Sequence, residues 1–210
     1  MSLSVSMKKT PITPHNLFID LIDIQKIKEE KADIWKDSKY KDLVKLQSIN
    51  AGIVGEKYIQ NLCDNCGILA NVDGTKTKQT GGGNGDGSIF DRTVEIKTAH
   101  QGSTASNFQH ELGEKPWNAE FMIFVDISPN CIYLTIFENF QESSYKSGAK
   151  CIPVFPTKSV TRRKQIGAFK LDSSVSINEK NIKEKHTLKI TEDVNMLVIK
   201  EYIESKIQSV

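Results

Sequence analysis

Two carboxylates and an amine crowd into the short stretch "GDGSIFDRTVEIK", where Asp86 precedes one short strand and Glu95 and Lys97 sit two residues apart on the next. Side chains alternate between the faces of a strand, so Glu95 and Lys97 share a face. With Asp91–Arg92 as a two-residue turn, the pairing sets Ser88 opposite Glu95, Asp86 opposite Lys97 and Ile89 opposite Val94. Asp86, Ser88, Glu95 and Lys97 then occupy one face, and Val94 and Ile96 the other. Opposed or diagonal side chains of a hairpin lie roughly 5–8 Å apart at Cβ, close enough for two carboxylates to share a divalent ion. Hard oxygen ligands suit Mg2+, which keeps several waters and takes one or two protein carboxylates. A lysine beside such an ion can hold the attacking water or offset charge on a pentacovalent phosphate. The trio therefore fits metal-assisted phosphodiester hydrolysis. It also fits an exposed hairpin face with an ordinary Glu–Lys pair, worth less than about 1 kcal/mol. Asp91 is a competing acid that belongs to the turn.

The segment before the hairpin must position this face. "SINAGIVGEKYIQNLCDNCGI" reads as a helix capped by Ser48 and stopped by Gly67. At about 100° per residue, Ile49, Ile53, Ile59 and Cys63 fall on one side, with Glu56 near its centre. A carboxylate there is costly to bury without a partner; the alternative is a rotated helix with Glu56 at its edge. Upstream, Leu17, Leu21, Ile24, Ile27 and Ile34 mark one or two helices from 16 to 47, with Asn16 as N-cap. "ILANV" after Gly67 is strand-like. "FMIFVDI" and "CIYLTIF" are near-continuous apolar runs expected to form central strands covered on both sides. "QGSTASNFQHELGEKPWN" reads as a loop or short helix ended by Pro116, residues 141 to 156 as a loop, and "TEDVNMLVIKEYIESKI" as an amphipathic helix capped at Thr191. The expected class is α/β, a central mixed β-sheet flanked by helices.

Helix with "GEKY", acid, short strand, "EIK" and apolar strands, in that order, resemble the PD-(D/E)xK nuclease superfamily, and within it type II restriction endonucleases. The resemblance covers roughly residues 48 to 137. It implies a restriction-endonuclease-like core in which Asp86 and Glu95 bind Mg2+ (with Mn2+ as a substitute), and the backbone carbonyl of Ile96 adds a ligand. It implies that Lys97 positions or activates the attacking water, and that Glu56 binds a second metal or orders metal-bound waters. Gly85 departs from the motif, which names proline there. The implied activity is sequence-specific hydrolysis of double-stranded DNA by a homodimer, paired with a DNA methyltransferase. A structure-selective repair or junction-resolving nuclease and a non-catalytic DNA-binding protein are the alternatives on the same core.

Candidate DNA contacts follow from residue type. Lys76, Lys78 and Gln79 stand in the glycine-rich loop "TKTKQTGGGNGDG", where backbone and lysine can approach phosphates. Gln101, Asn107 and Gln109 carry amides able to bond adenine, and Arg162, Arg163 and Lys164 form the one dense basic cluster. His100 and His110 read as hydrogen-bonding residues before general bases. A chain of 210 residues with formal charge +2 permits nucleic-acid binding without arguing for it. Residues 1–15 are expected to be a leader, of which 1–6 could be an addition, and 16–210 a single domain. Its parts are a helical stretch 16–47, a core 48–137 and a C-terminal DNA-contact and helical part 138–210. No apolar run of about 18 residues exists, and the expected location is the cytoplasm, away from membranes. "CDNC" at Cys63 and Cys66 has zinc spacing, but no second pair completes four ligands, so buried reduced thiols are the stronger expectation.

Overall fold

The computed structural model describes residues 13–72, 85–102, 107–112, 119–140, 160–162, 169–174 and 182–208. Helix α1 spans Pro14–Ala32 and α2 Ser48–Cys66, with a 3-10 turn at Leu43–Lys45 between them. The strands are β1 (Ala70–Val72), β2 (Gly87–Ile89), β3 (Arg92–His100), β4 (Asn107–Leu112), β5 (Phe121–Ser128), β6 (Cys131–Glu138), β7 (Val160–Arg162), β8 (Phe169–Ser174) and β9 (Thr187–Ile190). Helix α3, Met196–Ile203, continues into a π-helical turn at Glu204–Gln208.

Six strands form one sheet in the order β1-β2-β3-β5-β6-β9. Only β3 and β5 run parallel; the other pairs are antiparallel. The sheet is thus mixed, and the α/β class expected from the sequence holds. The parallel pair needs a crossover longer than a hairpin turn, and the segment from 101 to 120, containing β4, provides it. All of β5 is buried and most of β6, as their unbroken apolar runs require.

The two faces are covered differently. On one, Val94, Ile96, Ile123, Val125, Leu134 and Ile136 meet α2 and α3 through Ile59, Leu62, Cys63, Ile199 and Ile203. On the other lies a second antiparallel sheet, β4-β8-β7, whose Phe108 packs with Ala99, Cys131 and Tyr133. This sheet is a correction: "NFQHEL" forms β4 where a loop or short helix was expected. Alternation decides it, because Phe108 and His110 are buried while Gln109 between them is exposed.

Further corrections concern helix ends. The N-cap of α1 is Thr13, whose hydroxyl accepts from the Asn16 amide at 3.2 Å, so Asn16 lies inside the helix. The helix stops at Ala32, and Trp35 is buried in the core one turn later, its amide bonded to Asp33. Ser48 is the first residue of α2 and its side chain does not cap; Gly67 stops that helix in the left-handed conformation, φ 66°, as expected. Asn195, not Thr191, caps α3 by accepting from the amides of Leu197 and Val198. Cys63, Cys66 and Cys131 are free and buried. Burial pushes the Cys63 thiol up to about 12 and raises that of Cys66.

Candidate active site

The hairpin turn falls at Phe90–Asp91, not at Asp91–Arg92. Both residues have positive φ, 50° and 62°, the sign demanded by the turns that match strand twist. Phe90 is fixed there by its amide, which donates to the Leu69 carbonyl at 2.9 Å. The pairing accordingly shifts: Ser88 faces Thr93 rather than Glu95, and Ile89 faces Arg92 rather than Val94. The shift is by two, so the division of faces is unchanged. Val94, Ile96 and Ile89 are buried, and Glu95 and Lys97 are half-buried on the opposite face.

Asp86 does not face Lys97 across the ladder. Its amide donates to the Val94 carbonyl at 2.7 Å, although Gly87 is the residue paired with Val94. Two residues thus meet one, a bulge of the kind that re-aims a side chain. The Asp86 carboxylate, through Oδ2, accepts from the Ile96 amide at 2.7 Å. It is therefore held at the backbone between Glu95 and Lys97. Gly85 makes the approach possible. Its φ is +92°, and a Cβ there would lie 2.2 Å from the Val94 carbonyl oxygen. Proline, restricted to φ near −65°, has no place in this backbone.

Lys97 Nζ donates to Glu95 Oε1, and the two side chains retain 24% and 20% of their exposure. The pair is reachable from solvent while resting on a rigid strand, since β3 is bonded along its length to β5. Downstream of Lys97 the same face closes over. Asp126 and His110 are both 1% exposed and joined through Nε2 and Oδ1 at 2.7 Å, with the His110 ring edge-on to Phe124. His110 Nδ1 has no partner among the described residues.

Glu56 follows Gly55, the point where α2 meets β3. A Cβ at Gly55 would fall 1.7 Å from Thr98 Oγ1. The buried side of α2 is Ala51, Gly55, Ile59, Leu62, Cys63 and Cys66, while Ile49 and Ile53 are exposed. The helix is therefore rotated from the expected orientation, and Glu56 is half-buried at the edge of its packed side. Among the described residues, no three His, Cys, Asp or Glu side chains gather as a metal-binding group. Asp86 holds the Ile96 amide, next in sequence to Glu95, and Glu56 stands on α2.

The expected DNA contacts are spread. Lys76, Lys78, Gln79, Arg163 and Lys164 lie outside the described residues. Asn107 opens β4 and Arg162 ends β7. Gln109 is exposed on β4. Gln101 is engaged structurally: its side chain accepts from Ser128 Oγ at 3.0 Å and its carbonyl from Trp35 Nε1 at 3.1 Å. His100 sits edge-on to Trp35.

Sequence reasoning missed Glu120 and Asp126. Glu120 accepts from Arg92 Nε at 2.7 Å and from the Thr93 amide at 2.8 Å, joining the starts of β3 and β5. The Thr93 amide and the Arg92 guanidinium lower its carboxyl pKa. Asp126 did leave a signal, an acid within "FMIFVDI", because a buried carboxylate requires a partner. Compared with family models, curated proteins and solved structures, the chain has no match.

Proposed function

We propose that this chain is a Mg2+-dependent, sequence-specific endonuclease of double-stranded DNA, built on a restriction-endonuclease-like core of the PD-(D/E)xK type. The observation that carries the reading is the position of Asp86: its carboxylate rests on the amide of the residue between Glu95 and Lys97, and that pair remains open to solvent.

The donor set fits Mg2+. Two carboxylates supply hard oxygens, and the ion needs no more than one or two from the protein. When bound, Mg2+ polarises the phosphoryl oxygen and lowers the pKa of a coordinated water. Asp86 and Glu95 would hold the ion and offset its charge. Lys97, whose Nζ donates to Glu95, would orient the attacking water and offset charge developing on the phosphate. The hydrogen bond from Ile96 fixes the Asp86 side chain before substrate arrives, which limits reorganisation on reaching the transition state. No helix of the described residues is long and apolar enough to cross a membrane.

The test is incubation of the whole chain with unmethylated phage DNA and Mg2+, beside an EDTA control and Lys97→Ala. Discrete fragments, lost in both controls, support the proposal. Cleavage confined to branched DNA points to a structure-selective nuclease. DNA retention with no metal-dependent cleavage of any substrate defeats the enzymatic reading.

A further inference from the structure

Where α2 covers β3, the core is filled unevenly. Val94 and Ile96 belong to the buried cluster that includes Ile59 and Leu62. Farther along the same face of β3, Thr98 meets Gly55. Neither residue has the bulk to fill the space beside it, and protein interiors are otherwise close-packed. A cavity of about 420 Å3 opens there, between α2, the ends of β3 and β5, and the segment 39–46. Leu43, Val125, Ile127 and Ile132 form its walls, and Leu46 and Val54 stand exposed at its rim. Small-molecule sites have this size and this apolar character. The cavity lies on the opposite side of the sheet from Glu95 and Lys97, so it is separate from the candidate active site.

Three hydroxyls line the cavity with no hydrogen-bond partner among the described residues: those of Tyr40 and Tyr58, and that of Thr98, whose Oγ1 is buried at the floor. Buried polar groups are normally bonded, so such exceptions point to a ligand. Burial, and then the nearby Tyr40, push the Tyr58 phenol up to about 12, so it keeps its proton at neutral pH and can donate. The charged groups of the lining are already neutralised. Lys39 Nζ donates to Glu192, and Lys45 Nζ to Asp42 at 2.6 Å. An ion entering this apolar space would find no free counter-charge, and its burial would be costly. We propose that the cavity binds one neutral, predominantly apolar small molecule carrying a hydroxyl or carbonyl group. Its apolar body lies against the aliphatic walls, and its polar group bonds to the lining hydroxyls, which can donate as well as accept.

This site rests on the cavity alone and does not depend on the nuclease proposal. Binding without DNA cleavage defeats only that proposal, and cleavage without binding defeats only this one. The experiment is a methyl NMR titration of the full chain with three probes of similar shape: 4-propylphenol, propylbenzene and 4-propylbenzoate. The phenol is expected to give saturable shifts at the methyls of Leu43, Val125 and Ile132. It should bind about threefold to tenfold more tightly than propylbenzene, and at least about tenfold more tightly than the benzoate. Removing the hydroxyls together, by Tyr40→Phe, Tyr58→Phe and Thr98→Val, is expected to bring the phenol down to the affinity of propylbenzene. Leu46→Trp and Val54→Trp each fill the rim from an exposed position, and are expected to abolish the shifts while leaving the thermal midpoint unchanged. A wild type with no saturable shift up to the solubility limit of the phenol overturns the inference, as does a benzoate that binds as tightly. A preference for the phenol that survives loss of the hydroxyls, or binding that survives both tryptophan variants, overturns it equally.

Discussion

The Asp86 carboxylate accepts a hydrogen bond from the Ile96 amide at 2.7 Å, taking the place of the strand residue that would have continued the ladder beyond Gly87. One oxygen thus performs a structural task while the carboxylate is held beside Glu95 and Lys97. Structure and chemistry at this residue can therefore be separated by substitution.

Asp86→Asn keeps an acceptor for Ile96 and loses the charge. It is expected to retain wild-type stability and to reduce Mg2+-dependent cleavage by at least about a hundredfold. Asp86→Ala is expected to lose both, with a stability cost of about 1–3 kcal/mol for the unsatisfied amide. Urea denaturation of the two variants beside a plasmid cleavage assay separates the effects. Equal stability of both variants contradicts the bond.

Gly55→Ala should destabilise the chain by about 1–3 kcal/mol, because the added methyl collides with Thr98 on a strand that cannot retreat. Thr98→Ala should be neutral or stabilising, since it removes a buried hydroxyl oxygen that has no hydrogen-bond partner among the described residues. Thermal unfolding of the two variants tests both statements.

His110→Ala leaves the Asp126 carboxylate buried and unpaired, and is expected to cost about 3–5 kcal/mol. Asp126→Ala should also destabilise. The double variant should lose much less than the sum, because the residues are in direct contact. Additive losses in that cycle would show that the pair is not coupled.

Glu120 has a depressed carboxyl pKa, so its contribution to stability is full above the ordinary value of 4.5 and is lost as pH falls through the folded value. Glu120→Gln is therefore expected to lower the thermal midpoint at pH 7 and to match the wild type at the acid end. The side chain is 41% exposed, and the difference should shrink in high salt. A constant gap from pH 7 to pH 3 would rule out a charge effect.

Much of this was legible in the residues. "FMIFVDI" and "CIYLTIF" announced buried strands, and the alternation of Val94 and Ile96 with Glu95 and Lys97 fixed which side of β3 meets the core. The turn was not legible, because Phe90 in a positive-φ position contradicts local preference and is fixed by Leu69, a residue far away in the sequence. Strand β4 was hidden by its hydroxyl- and amide-rich surroundings. The rotation of α2 was hidden because exposed Ile49 and Ile53 look like core residues until Gly55 is seen against Thr98. The bulge at Asp86 could not be read either, since it depends on how far the ladder runs.

The placement of the turn bears on which insertions and deletions the gene can tolerate. Strand β3 is clamped on its far side by β5, so a change in turn length displaces β2 and leaves Glu95 and Lys97 where they are. A change of two residues slides β2 by a full period and returns Ser88 and Ile89 to their present faces. A change of one residue exchanges them, exposing Ile89, burying Ser88 and carrying Asp86 away from Ile96. Length variants of this chain that keep Ile89 in the core should therefore differ in the turn by even steps.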